Sequence, residues 1–421
     1  MSATMGEVED KAVDAAHAWP AEGLTRVPYW VYQDSGIYVR EQSRIFRGPT
    51  WNFLCLESEL RGPGDFKTSF VGEMPVVVTR DEHGELAAFE NRCAHRGALL
   101  CLKERGNAKE IACVYHNWTY DLKGNLTAVA FRRGVRGKGG MPANVRPEAH
   151  APRKLRVASF AGLVFGTLSA EAPPITDYLG PEIDARIRRV MKAPSRVLGV
   201  YSQMLHNNWK LYAENVRDTY HASLLHLFYT TFRISRLTQE GGVFLDSSGG
   251  NHVVEVHADP GTRDLEYERA GLRAATSDFR LADPSVIAGR DEFGDGIAIR
   301  ILTVFPGFVM QQVQNSLAVR QIIPRGVEET ELVWTYFGFA DDDEATLRAR
   351  IKQSNLVGPA GYVSMDDGAA VNFVQRGIAA AAEESSVVEM GGAAVASSRN
   401  TRATETSVRG FWQAYRRLMD L

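Results

Sequence analysis

Two short pairs of side chains that can bind metal stand close together in the first third of the chain. They are Cys93-x-His95 and, after seventeen intervening residues, Cys113-x-x-His116. A pair this tight fits a turn between strands, where both side chains converge on one metal. Two thiolates and two imidazoles can hold zinc. The same four ligands in this arrangement also suit a [2Fe–2S] cluster in which one iron takes both cysteines and the other both histidines. Neutral imidazole in place of thiolate lowers the anionic charge around one iron and raises the potential. The flanking Arg96-Gly97, Trp118-Thr119-Tyr120-Asp121 and Gly124 agree with the cluster reading. Cys101 and Cys55 fit neither pair and read as buried small hydrophobes.

A second constellation begins at Asp218, with His221 and His226 after it. An Fe(II) that activates dioxygen is commonly held on one face by two histidines and a carboxylate, with the remaining positions open. The two histidines are five positions apart, and a regular helix would place them ~140° apart. The segment must therefore bend if both are to hold one ion. The carboxylate has to come from elsewhere, and the turn 358–368 offers the adjacent acids Asp366 and Asp367 at the start of a helix. Spacing alone does not choose between them.

The elements that must position these groups fall into two sets. Between about 50 and 165, short apolar runs separated by turn signals (74–79, 86–89, the turns at 81–84 and 121–125) predict a small antiparallel β domain. Composition shifts between Glu171 and Pro194, and the domain boundary is expected there. A helical pattern at 207–228 is followed by strand-like runs at 242–245, 252–257, 297–305, 308–314, 317–323 and 331–339. Helical patterns return at 343–356 and 366–384. Residues 391–401 read as a mobile Gly/Ala/Ser loop, and an amphipathic helix with Val408, Phe411, Trp412, Tyr415, Leu418 and Met419 on one face ends the chain. Residues 1–45 read as a polar arm with one helix near 41–46.

A length of 421 residues suits two domains, and a net charge of −3 provides no basic field for nucleic acid or an anionic membrane. The first twenty residues lack a basic start and an apolar stretch, so the expected location is cytoplasmic. A Gly-x-Gly-x-x-Gly fingerprint for a dinucleotide is missing, and Gly137-Lys138-Gly139-Gly140 reads as an isolated basic loop. A Rieske electron carrier would explain residues 93–116 but would leave the second constellation without a purpose.

These residues resemble the large subunits of the Rieske aromatic-ring hydroxylating dioxygenases, and the resemblance runs over nearly the whole chain. It implies an α+β fold: an arm at 1–48, an all-β Rieske [2Fe–2S] domain at 49–170, and a helix-grip catalytic domain with an antiparallel sheet at 171–421. It also implies that Cys93, His95, Cys113 and His116 hold the cluster. By the family's Asp-x-x-His-x-x-x-x-His motif and late Asp-Asp pair, His221, His226 and Asp367 hold a mononuclear Fe(II). Asp218 is expected to hydrogen-bond His116 of an adjacent protomer in an α₃β₃ hexamer with a small β subunit. Electrons would reach it from NAD(P)H through a separate reductase, the nicotinamide not being bound here.

The implied reaction is cis-dihydroxylation of an aromatic carboxylate with O₂. Segments 240–250, 301–324, 373–382 and 402–412 are most similar to the branch acting on terephthalate, which implies the 1,2-cis-dihydrodiol as product. The salicylate 5-hydroxylase and anthranilate dioxygenase branches come next. A para-dicarboxylate in an apolar pocket needs a cation near each end. Arg320, inside a mostly apolar strand, is one candidate, and Arg402 becomes the second through the resemblance, although composition alone reads it as a solvated charge. Arg376 is a weaker third. The stretch 393–400 departs from the family pattern beside Arg402.

Overall fold

The computed structural model describes residues 17–259, 261, 264–272 and 279–421. The first sixteen residues of the expected arm lie outside the described residues. The segment 17–48 is not an arm. Val27, Trp30, Val31, Tyr32, Ile37, Tyr38, Ile45 and Phe46 are buried in one core with Trp209, Phe411, Trp412 and Tyr415. Strand Arg26–Pro28 pairs with Ser385–Val387. Helix Ser35–Glu41, capped by Asp34 Oδ1 accepting from the Ile37 amide at 2.7 Å, runs on into a π-helical turn at Gln42–Phe46. Polar residues scattered between these apolar ones mask the segment's buried face.

The first β unit is a seven-stranded antiparallel sheet ordered Asn52–Leu56, Leu163–Thr167, Lys154–Phe160, Leu86–Glu90, Met74–Arg80, Asp65–Val71, Arg105–Asn107. A three-stranded sheet of Ile111–Ala112, Thr119–Tyr120 and Leu126–Ala128 accompanies it. Its separate core gathers Phe66, Phe89, Leu100, Cys101, Trp118 and Tyr120 around Cys93 and Cys113.

Within the region of shifting composition lies a helix, Ile175–Val190, whose pattern in the sequence is interrupted by Gly180 and Pro181. Leu179, Ile183, Ile187 and Val190 recur at helical spacing and are buried. Strand Ser195–Leu205 is likewise absent from the sequence expectations. It edges the second sheet, and much of it is partly exposed, so its apolar alternation is weak.

That second sheet is seven-stranded and antiparallel, ordered Ser195–Leu205, Glu329–Phe339, Ser316–Gly326, Phe308–Val313, Ile297–Val304, His252–His257, Gly241–Leu245. Alternate residues point to opposite faces. Val253, Leu302, Met310, Val319 and Phe337 face the first sheet and helix Ile175–Val190, forming a shared core with Phe53 and Phe165. By register, Val254, Ile301, Gln311, Ala318 and Tyr336 form a row on the other face, beside the row Val309, Arg320, Trp334. Each aliphatic side chain so buried contributes ~1.5–3 kcal/mol.

Over this second face lie Trp209–Asn215, Ala222–Leu225, Leu227–Thr231, Glu344–Val357 and Ser364–Gly377. The helical pattern at 207–228 forms three short pieces, broken between Asn215 and Ala222 and again at His226 (φ −84°, ψ 83°), which supplies the expected bend between the two histidines. The C-terminal helix Thr406–Met419 buries Val408, Phe411, Trp412, Tyr415 and Met419, with Leu418 partly buried. The stretch expected as a mobile loop is tied down instead. Ser398 exchanges backbone hydrogen bonds of 2.7 and 2.8 Å with Val243, and the Ala394 carbonyl accepts from Arg409 Nε.

Glu41, fully buried, joins the pieces. Its carboxylate accepts from Lys210 Nζ at 2.6 Å, Trp209 Nε1 at 2.7 Å and Tyr415 Oη at 2.6 Å. Burial of two charges is tolerable when each is paired and hydrogen-bonded.

Candidate metal centres and substrate cavity

The two cysteine–histidine pairs occupy two tips of matching construction. The Cys93 amide donates to Ala98 O at 2.7 Å and its carbonyl accepts from Gly97 N at 2.9 Å. Cys113 does the same with Trp118 O and Asn117 N, both at 2.9 Å. The fourth residue after each cysteine has a left-handed backbone, Gly97 at φ +75° and Asn117 at φ +53°, the conformation glycine and asparagine adopt most readily. His95 and His116 therefore leave equivalent tips and meet with ring centroids 4.5 Å apart, His95 stacked on Trp118.

Both thiols are buried and free, and His95 Nδ1 and His116 Nδ1 are buried with no hydrogen-bond partner among the described residues. Two thiolates and two unclaimed imidazole nitrogens are the donor set a mixed-ligand [2Fe–2S] cluster requires. Burial, with His116 and Arg96 nearby, holds His95 below its ordinary pKa, which favours the neutral ring. The Tyr120 hydroxyl lies 3.4 Å from Cys93 Sγ, a contact that no spacing in the sequence announces. Cys55 and Cys101 are buried, and burial raises both thiol pKa values, Cys101 to about 12.

The second constellation comes together around one point. Asp367 Oδ1 lies 3.3 Å from His221 Nε2 and 3.2 Å from His226 Nε2, and one ligand atom from each of the three lies within 4.8 Å of the others. The chain break at His226 makes this convergence geometrically accessible to residues five apart. Behind the ring nitrogens stand two further acids. Asp218 Oδ2 is 3.2 Å from His221 Nδ1, and Asp366 Oδ2 is 3.3 Å from His226 Nδ1. Burial alone would lower the His221 pKa, but Asp218 and Asp367 push it up to about 10. Burial alone would raise the Asp367 pKa, but the two histidines hold it below the carboxylate range. Such a field suits a cation. Asn215 Nδ2 donates to Asp367 Oδ1 at 3.2 Å, another contact the spacing does not reveal.

A cavity opens from this triad onto the second sheet, and Arg320 and Arg402 both line it. Its remaining wall is largely aliphatic, including Val254, Val256, Ile299, Ile301 and Val313. Arg320 donates to Tyr212 Oη at 2.8 Å and to Gln311 Oε1, and lies 4.1 Å over the Trp334 ring. Arg402 is only 2% exposed, in contrast to the solvated charge its composition suggests. The pinned stretch before it aims it inward, where its Nη1 reaches Ser235 Oγ at 3.3 Å and its Nη2 reaches the carbonyls of Arg236 and Gln239. Arg376 is exposed and away from this wall.

Residues 50–136 match the Rieske [2Fe-2S] domain, and residues 188–421 match the ring hydroxylating alpha subunit catalytic domain. The chain is 56% identical to the terephthalate 1,2-dioxygenase terminal oxygenase component subunit alpha 2 of Comamonas sp., over 95% of this chain and 97% of that protein. It is 46% identical to the anthranilate 1,2-dioxygenase large subunit of Burkholderia cepacia, over 95% of each. A naphthalene 1,2-dioxygenase structure from Rhodococcus sp. shares the fold, with a TM-score of 0.77 at 23% identity and 94% coverage of both chains. The chain belongs to the Rieske ring-hydroxylating oxygenase alpha subunits. It is an oxidoreductase whose cofactors are a Rieske [2Fe–2S] cluster and a mononuclear iron. Among the described residues, no helix is long and apolar enough to cross a membrane.

Proposed function

We propose that this chain cis-dihydroxylates terephthalate to its 1,2-cis-dihydrodiol. The observation that carries the reading is the pair of buried arginines, Arg320 and Arg402, which line the same cavity as the His221/His226/Asp367 triad. Burying an arginine without an anion is costly, and a planar guanidinium suits a carboxylate through two parallel hydrogen bonds. A para-dicarboxylate satisfies both.

Cys93, His95, Cys113 and His116 would hold the cluster, and His221, His226 and Asp367 the mononuclear iron. When bound, these groups supply electrons and activate dioxygen toward the ring. The protein's own part is positional. Tyr212, Gln311 and Trp334 hold the Arg320 fork, Arg402 is fixed by backbone carbonyls, and the aliphatic wall keeps water from the ring. Asp218 and Asp366 orient the two histidines through their outer nitrogens.

Asp218 retains partial exposure, so it can also receive His116 of an adjacent protomer. That contact calls for a ring, and an α₃β₃ hexamer with a small β subunit is the proposed assembly, served by a reductase that draws on NAD(P)H. The test is kcat/KM for terephthalate, benzoate, salicylate and anthranilate with purified subunits and a reductase. Sites built for a polar group reject analogues lacking it by ~10⁴ or more. Terephthalate should lead, and Arg402→Ala should cut its turnover far more than that of benzoate. A parent preference for salicylate or anthranilate would overturn the substrate assignment.

A further inference from the structure

We infer that Gln311 is a third hydrogen-bond donor to the carboxylate that Arg320 holds, and that this pair makes an acceptor obligatory at that end of the substrate. The inference rests on the cavity being the binding site of an aromatic carboxylate. Register places Gln311 opposite Ala318, so it is the diagonal neighbour of Arg320 on the cavity face. The two are 1% and 7% exposed, amid a wall otherwise aliphatic at Val254, Ile301 and Val313.

An arginine has donors only, so the bond from Arg320 Nη2 must end on Gln311 Oε1. That fixes the amide and leaves its Nε2 as the free end. Among the described residues, neither Gln311 Nε2 nor Arg320 Nε has a hydrogen-bond partner. Ile301 and Ala318, the neighbours of Gln311 across the sheet, have no side-chain acceptor to offer. Two buried donors on one patch are left for a ligand to satisfy.

Arg402 differs. It donates to Ser235 Oγ and to the carbonyls of Arg236 and Gln239, and only its Nε lacks a partner among the described residues. With two unpartnered donors against one, the Arg320–Gln311 patch is the more demanding, and a monoacid such as benzoate places its single carboxylate there.

The test is calorimetric binding of terephthalate, benzoate and p-xylene to the as-isolated holoenzyme, in the parent, Gln311→Leu and Gln311→Glu proteins. The cluster's visible spectrum checks that each is folded. Loss of a hydrogen bond to a charged group is expected to weaken both acids in Gln311→Leu by ~10- to 100-fold. Binding of p-xylene, which has no acceptor, should be unchanged or improved. Gln311→Glu keeps the side-chain shape and the bond from Arg320, so it should fold even if the leucine variant does not. It should weaken both acids further, because a second carboxylate then faces theirs. Parent-like affinity for both acids in the folded variants overturns the inference, as does an equal loss for p-xylene. If the parent binds benzoate as tightly as terephthalate, the dicarboxylate reading falls, yet weaker benzoate binding in the Gln311 variants still supports this role.

Discussion

Asp366 and Asp367 are adjacent in the chain but face opposite nitrogens of one ring. Asp366 Oδ2 lies 3.3 Å from His226 Nδ1, and Asp367 Oδ1 lies 3.2 Å from His226 Nε2. A helix start turns successive side chains ~100° apart, enough to reach around the imidazole from both sides. Asp367→Ala should therefore lose the mononuclear iron while keeping the visible spectrum of the cluster. Asp366→Ala should retain iron but bind it ~10- to 100-fold more weakly, as removal of an orienting carboxylate commonly does. Iron content and a chelator competition titration separate the two, and the reverse order would move the ligand role to Asp366.

Asp218 stands behind the other histidine, 3.2 Å from His221 Nδ1, with its Oδ1 accepting from the Tyr220 amide at 2.8 Å. Asp218→Asn should leave both metal sites occupied and lower single-turnover product formation by ~100-fold. A parent-like single-turnover rate would exclude the bridging role proposed for this acid.

Tyr120 places a hydroxyl 3.4 Å from Cys93 Sγ. A hydrogen bond to sulfur stabilises the more negative reduced state, so Tyr120→Phe should lower the cluster potential. His116→Cys should lower it further, because a thiolate adds a full negative charge. Redox titration followed by electron paramagnetic resonance measures both, and an unchanged potential in the cysteine variant would remove His116 from the ligand set.

Glu214, on helix Trp209–Asn215, is a carboxyl with a pKa that burial raises to about 8, although the Tyr32 hydroxyl donates to it. Its unfolded value is near 4.3. Between these values the folded chain keeps the proton and the unfolded chain has released it, so stability falls as pH rises from about 4.3 to about 8. The thermal midpoint of the parent should decline across that window, and Glu214→Gln should flatten the decline. Equal slopes in the two proteins would place the charge elsewhere.

Legibility in the sequence tracks how local each signal is. The two cysteine–histidine pairs are plain because each sits within one turn, where spacing fixes geometry. Most strands of the second sheet are visible for the same reason, since their buried faces read as apolar runs. Three things need the third dimension. Asp366 lies beside His226 only because the start of a late helix meets the break at His226, and no spacing between positions 226 and 366 announces it. Arg402 becomes a cavity residue because Ser398 is bonded to Val243, which turns a loop of small residues into a fixed approach. The buried face of residues 26–46 becomes plain only with its partner, the C-terminal helix, in place.

Glu41 and Tyr415 are in contact across 374 positions. A ribosome adding about 5–20 residues per second makes the second residue roughly 20 to 75 s after the first. The first sheet can form early in that interval, since its strands are all made by Thr167. The helix that carries Lys210 and Glu214 cannot be sealed until the last helix arrives. Trp209 and Lys210 are made about midway through that interval, but the third donor to the Glu41 carboxylate comes only with Tyr415. A chain that ended before Tyr415 would thus leave the buried Glu41 carboxylate without one of its three donors, and the core it shares with the last helix unfilled.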